Sequence, residues 1–177
     1  MHIEAAATVI AKIAVIVGLV SATVVDTRYR LIPNMATSFV AGGGLFMRLL
    51  TAPGTAWVSL TVAGIVLAGL LVFAALRLMG AGDAKLIAAA TLAEPIEGVA
   101  PLLLAIGIAG GILAAVYLLG GWAYGQNSAS HSRLNNPPTV LARFFRHDPI
   151  RRALAEPIPY AAAVLGGFVW CTMSGTV

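Results

Sequence analysis

Two aspartates carry the residue pattern with the most chemical promise in this 177-residue chain, which has only seven acidic residues. Asp83 lies in Met79-Gly80-Ala81-Gly82-Asp83-Ala84-Lys85-Leu86, between two long apolar runs. Asp26 lies in Val24-Val25-Asp26-Thr27-Arg28-Tyr29-Arg30-Leu31-Ile32-Pro33-Asn34. An ionisable group at a membrane boundary is expensive to keep and is therefore a functional candidate. Gly80 and Gly82 remove side chains just before Asp83, so another backbone can approach it closely. One carboxylate does little hydrolysis alone. Two that sit a few ångströms apart cannot both ionise cheaply, and they share a proton near neutral pH. The ionised member then draws a proton from water while its protonated partner hydrogen-bonds a scissile carbonyl. A plainer reading uses the same residues: Asp26 pairs with Arg30 four positions on, and Asp83 caps the helix that follows it. Local spacing leaves both readings open.

The neighbours have supporting roles. Lys85 meets lipid phosphate or biases Asp83, Tyr29 and Arg30 anchor at the interface, and Arg28 is a further basic residue of the segment. Pro33 ends a turn, and Asn34 is placed to cap the next helix. Other hydrolytic chemistries find no residues. There is no His-Glu-x-x-His zinc motif, and His2, His131 and His147 are scattered. Neither a Gly-x-Ser-x-Gly elbow nor a phosphate-binding glycine loop is present. The lone Cys171 rules out an internal disulfide and reads as a small packing residue. No metal and no cofactor are expected.

The elements that must position these aspartates are membrane helices. The chain is 59% hydrophobic and 10% charged, with a mean hydropathy of +0.92, far from a soluble average. The formal charge of +4 comes from few basic residues that follow membrane topology, so nucleic acid is not an expected partner. Six apolar segments can be drawn, at about 3–25, 35–50, 56–78, 84–93, 99–119 and 158–173. The first suits a retained span rather than a cleaved leader, because it lacks a basic start and its apolar run exceeds a signal-peptide core. Arg28, Arg30, Arg77, Lys85, Arg133, Arg143, Arg146, Arg151 and Arg152 fall on one side if every segment crosses, leaving Lys12 and Arg48 elsewhere. By the positive-inside rule that side is cytoplasmic and both termini face out. The fourth segment is short, since about ten residues at ~1.5 Å each reach half of a ~30 Å core. A re-entrant loop there would put five arginines outside, so a tilted crossing in thin or wet surroundings is expected. Lys12 and Arg48 pair with Glu4, Glu94 or Glu97, or snorkel. The expected fold is a single all-α domain over residues 1–177, a bundle of six transmembrane helices. A basic loop at about 122–157 lies on the cytoplasmic leaflet, where it meets anionic lipid. Asp26 and Asp83 then share the cytoplasmic face, one ending a helix and one opening another.

Gly80-Ala81-Gly82-Asp83 with Lys85-Leu86 resembles the GxGD signature of the type IV prepilin peptidases and its following lysine. The stretch from Asp26 to Asn34 resembles that family's other aspartate segment, an Asp, basic residues and Ile-Pro-Asn. Pro157-Ile158-Pro159-Tyr160 resembles the opening of its last span. The resemblance implies an intramembrane aspartic endopeptidase of the bacterial inner membrane, with Asp26 and Asp83 as the catalytic pair. Its substrates would be prepilins, cut on the cytoplasmic side after a glycine that precedes the pilin's hydrophobic helix. The chain begins almost directly with its first span, without the N-terminal domain and cysteine pairs of long members. Cleavage without N-methylation is therefore expected, as in the short peptidases of tight-adherence (Flp) pilus systems. Two rivals use the residues differently. A non-enzymatic assembly subunit would use the aspartates as structural ion pairs, and a proton-coupled transporter would need a polar path at mid-membrane.

Overall fold

The computed structural model describes residues 2–29, 31–130 and 159–174, with side chains from 7 to 119 and from 159 onward within those bounds. Among the described residues there are six α-helices and no strand: α1 (His2–Tyr29), α2 (Asn34–Thr51), α3 (Ala56–Ala75), α4 (Ala81–Thr91), α5 (Ile96–Ser130) and α6 (Ala161–Met173). One 3-10 turn, Pro53–Thr55, leads into α3. Three helices are long and apolar enough to cross a membrane, over Ala7–Tyr29, Pro53–Ala75 and Ile96–Leu119. Their outer faces carry Val9, Ile13, Val17, Ile65, Val72, Leu104, Ile108 and Ile112, all exposed. An apolar surface of that extent belongs against lipid.

The chain divides into two units, Met1–Gly110 with Pro159–Val177, and Gly111–Ile158. The described part of the second unit is the remainder of α5, from 111 to 130. That helix runs through 122–130, where the sequence suggested that a loop begins. Ser and Asn are only mildly unfavourable in a helix, and each added residue gains a backbone hydrogen bond, so an established helix continues through them. The rest of the expected basic loop lies outside the described residues.

In the first unit the helices alternate in direction. Gly18 of α1 meets Val40 of α2, and Gly43 meets Val15, so α1 and α2 are antiparallel. Arg48 Nε, near the end of α2, donates to Ser59 Oγ, near the start of α3, at 3.3 Å. α2 and α4 run the same way: Gly82 at the start of α4 abuts Ile32 just ahead of α2, and Gly44 abuts the backbone of Ala93 at the other end. The core is built from helical stripes, Ala11, Val15, Leu19 and Ala22 on α1, Val40 and Met47 on α2, and Ala161, Val164, Phe168 and Cys171 on α6.

Short α4 is the inner element. Every residue from Leu86 to Glu94 is buried, as expected of a helix that is apolar all round. With 11 residues it spans about 16 Å. The sequence explained this shortness by thin or wet surroundings; the packing gives another reason, because α2, α3 and α6 cover α4 with protein.

α3 also ends earlier than the apolar run at 56–78 suggests. Leu78 N–H donates to Phe73 O at 3.0 Å and Arg77 N–H to Ala74 O at 3.0 Å, with Arg77 at φ 61°. This paired closure is the Schellman geometry, in which a left-handed residue follows the helix. Glycine is the usual occupant, and an arginine there leaves no signal in the sequence.

Candidate functional site

Asp26 continues the buried stripe of α1, four residues after Ala22, and is only 6% exposed. A carboxylate so placed is costly unless hydrogen-bonded. Its Oδ2 accepts a hydrogen bond from the backbone N–H of Ala161, the first residue of α6, at 3.2 Å. The first amides of a helix have no partner inside it and point along a favourable dipole, so α6 offers Asp26 a built anion position. Arg28 is exposed in the last turn of α1. Arg30, the partner in the ion-pair reading, lies outside the described residues.

Asp83 is the third residue of α4, whose N-cap is Gly80. The Asp83 carboxylate turns back toward Gly80, the direction taken by the reciprocal arm of a capping box. Gly80 itself has an ordinary extended conformation, so its value is spatial. A Cβ there would stand 2.7 Å from Asp83 Oδ2. Gly82 has a different neighbour, since its Cβ would lie 3.2 Å from Ile32 Cβ. The glycine beside Asp83 thus seats the first turn of α4 on the connection that follows Asp26, and the two motif segments touch at these residues.

The charge of Asp26 is felt at Asp83, and that of Asp83 at the Tyr160 hydroxyl. Tyr160 immediately precedes the residue that bonds Asp26, and its ring lies against Gly110 of α5, where a Cβ would stand 2.6 Å away. The start of α6 therefore stands beside Asp26, within electrostatic reach of Asp83. Neither Tyr160 nor the Ala161 amide was singled out as a site group from sequence. The only available signal was Pro157-Ile158-Pro159 ahead of an apolar run, which marks a helix start whose first amides are open.

The remaining expected groups are distributed around this end. Lys85 is exposed, on a different face of α4 from Asp83. Pro33, rather than Asn34, occupies the N-cap of α2, and no side chain caps it. The helix starts one residue earlier than the capping expectation requires, which places Asn34 inside the first turn. At the opposite end of the unit, the buried Glu94 lies within electrostatic reach of Lys12 and Arg48, while its Oε2 makes no hydrogen bond.

Chemically, the end formed by Asp26, Asp83, Tyr160 and the α6 amides can hold two acids near one another beside hydrogen-bond donors. The family model of the type IV leader peptidase family matches residues 13–117, more than half of the chain and a range that contains both aspartates. No curated protein and no solved structure matches.

Proposed function

Because the chain belongs to the type IV leader peptidase family, we propose that it is an aspartic endopeptidase in which Asp26 and Asp83 together activate water against a prepilin-type leader. Family membership makes it a peptidase with prepilin-type substrates, and its apolar helices mark a multi-pass membrane protein. What supports the aspartic reading is that the two aspartate segments meet where Gly82 abuts Ile32, with Asp26 held by the Ala161 N–H at the start of α6. One shared proton divides the labour: the ionised acid accepts a proton from water, and the protonated acid donates to the carbonyl oxygen. Water adds to the carbonyl carbon, and the C–N bond breaks as the amine takes up a proton. Either aspartate can serve as the base. The cut falls after a glycine at the cytoplasmic face, the substrate is a Flp-type prepilin, and cleavage proceeds without N-methylation. All six helices cross the inner membrane, with both termini outside.

Asp26→Asn and Asp83→Asn, each assayed on a purified prepilin by gel shift, are expected to abolish processing while leaving the melting temperature near that of the parent. Asparagine keeps shape and hydrogen bonding but cannot shuttle the proton. Normal processing in either variant defeats the assignment. The contacts of Asp26 with α6 and of Asp83 with Gly80 also suit a purely structural role in an assembly subunit. That reading predicts the reverse result, with lowered abundance and melting temperature in both variants.

A further inference from the structure

A groove of about 570 Å³ runs between α2, α3 and α4. Its lining is regular. α2 contributes Asn34, Thr37, Ser38 and Ala41, α3 contributes Leu60, Ala63, Gly64 and Leu67, and α4 contributes Lys85, Ala88, Ala89 and Leu92. Each set is an i, i+3, i+4, i+7 stripe, the face that a helix shows to a neighbouring helix. The three stripes run side by side for about 10 Å.

Helix directions fix the levels of the groove. Nearest the aspartates lie Asn34, Leu67 and Lys85; in the middle lie Thr37, Ser38, Ala63, Gly64, Ala88 and Ala89; farthest lie Ala41, Leu60 and Leu92. The near level is mostly polar, with an exposed cation and an amide. The far level is wholly apolar. Between them is a ring of six small residues contributed by all three helices. α3, which forms one wall, is the least covered of the three long apolar spans, at 11% buried.

We propose that this groove seats the apolar helix of the substrate, alongside α3 and α4, with the chain passing round the start of α4 at the near level to reach Asp26 and Asp83, on the other face of that helix. The inference rests on the peptidase reading for its choice of occupant. A prepilin-type substrate pairs a polar leader with an apolar helix, and the groove has the same polarity order, polar beside the acids and apolar beyond. Small residues let two helix backbones approach closely in lipid, where packing rather than hydrophobicity holds helices together. A mobile acyl chain gains little from three matched stripes, whereas a helix reads them as a fourth partner does.

Gly64 provides the test, because nothing lies within 4 Å of a Cβ built there, so a larger side chain can start from the α3 backbone without a clash and extend into the groove. Gly69, also on α3, has equally open surroundings and is not in the groove. The probes are a purified type IV prepilin in proteoliposomes and a short soluble peptide that spans its cut site but lacks the apolar helix. Gly64→Leu is expected to slow prepilin processing about tenfold or more by raising KM, with cleavage of the short peptide unchanged. Gly69→Leu is expected to change neither. Parental processing of the prepilin by Gly64→Leu, or equal loss on both substrates, overturns the proposal.

A second measurement reads binding without catalysis. A photoreactive benzoylphenylalanine at position 64 in an Asp83→Asn background is expected to capture the prepilin. The same group at position 69 is not, and a prepilin with two charges placed in its apolar helix is not captured. Adducts with phospholipid alone, or equal capture from both positions, overturn the docking. Capture that persists although Asp26→Asn and Asp83→Asn still cleave would sink the catalytic assignment and leave the groove standing.

Discussion

Asp83 and Gly80 form a unit in which the absence of one side chain sets the direction of the other. The Asp83 carboxylate turns back toward Gly80, into space that a methyl group at position 80 would occupy at 2.7 Å from Oδ2. The carboxylate is the movable partner, so it yields before the helix does. Gly80→Ala is accordingly expected to swing Asp83 away from the site and to reduce prepilin cleavage by about 100-fold, the scale of a 1 Å misplacement of a catalytic group. The melting temperature should stay close to the parent's. A variant that retains full activity would show that the Gly80 contact does not set the catalytic geometry. Asp26 is held differently, by a helix terminus distant in sequence, and its orientation depends on where α6 is placed.

Among the elements, the short α4 is closely fitted at its end, because a glycine of α2 admits the backbone that follows it. A Cβ on Gly44 would stand 2.8 Å from Ala93 N and 3.1 Å from the Leu92 carbonyl carbon, both backbone atoms that cannot rotate aside. Gly44→Ala is therefore expected to destabilise the protein by about 2 kcal/mol, the usual scale of overpacking. Gly69 has nothing within 4 Å, and Gly69→Ala should raise stability by roughly 0.5 kcal/mol through helix propensity alone. Thermal unfolding in detergent separates the two, and equal effects would refute this account of α4 packing. The sequence showed both as ordinary glycines in apolar runs. Their difference lies in which helix passes opposite, and no local pattern carries that.

For the whole molecule, the alternating directions of α1 to α4 put the α2–α3 connection and the α3–α4 connection at opposite ends. In the six-crossing arrangement Arg77 faces the cytoplasm and Gly54 the outside. Single cysteines at these positions, in a Cys171→Ala background, test it with a membrane-impermeant maleimide. Gly54→Cys is expected to label in intact spheroplasts and Arg77→Cys only in inverted vesicles. The reverse pattern, or both positions labelling from one side, would overturn that topology. The same alternation brings the Asp26 segment to the start of α4 and leaves Glu94 within electrostatic reach of Lys12 and Arg48 at the far end.

Much of this was legible in the residues. Six apolar runs gave six helices among the described residues, because hydrophobic length and composition act locally along the chain. The two aspartate segments were visible as polar interruptions of those runs, and they lie in the range matched by the leader peptidase family. What the tertiary structure alone decided was contact across distance. It placed the Ala161 amide 3.2 Å from Asp26, wrapped α4 in protein, let Arg77 end α3 in a left-handed turn, and aligned three stripes into one groove. Each of these depends on which backbone lies opposite a given residue. In a bundle built from nearly uniform apolar helices, pairing follows from side-chain shape at the contact and not from periodicity.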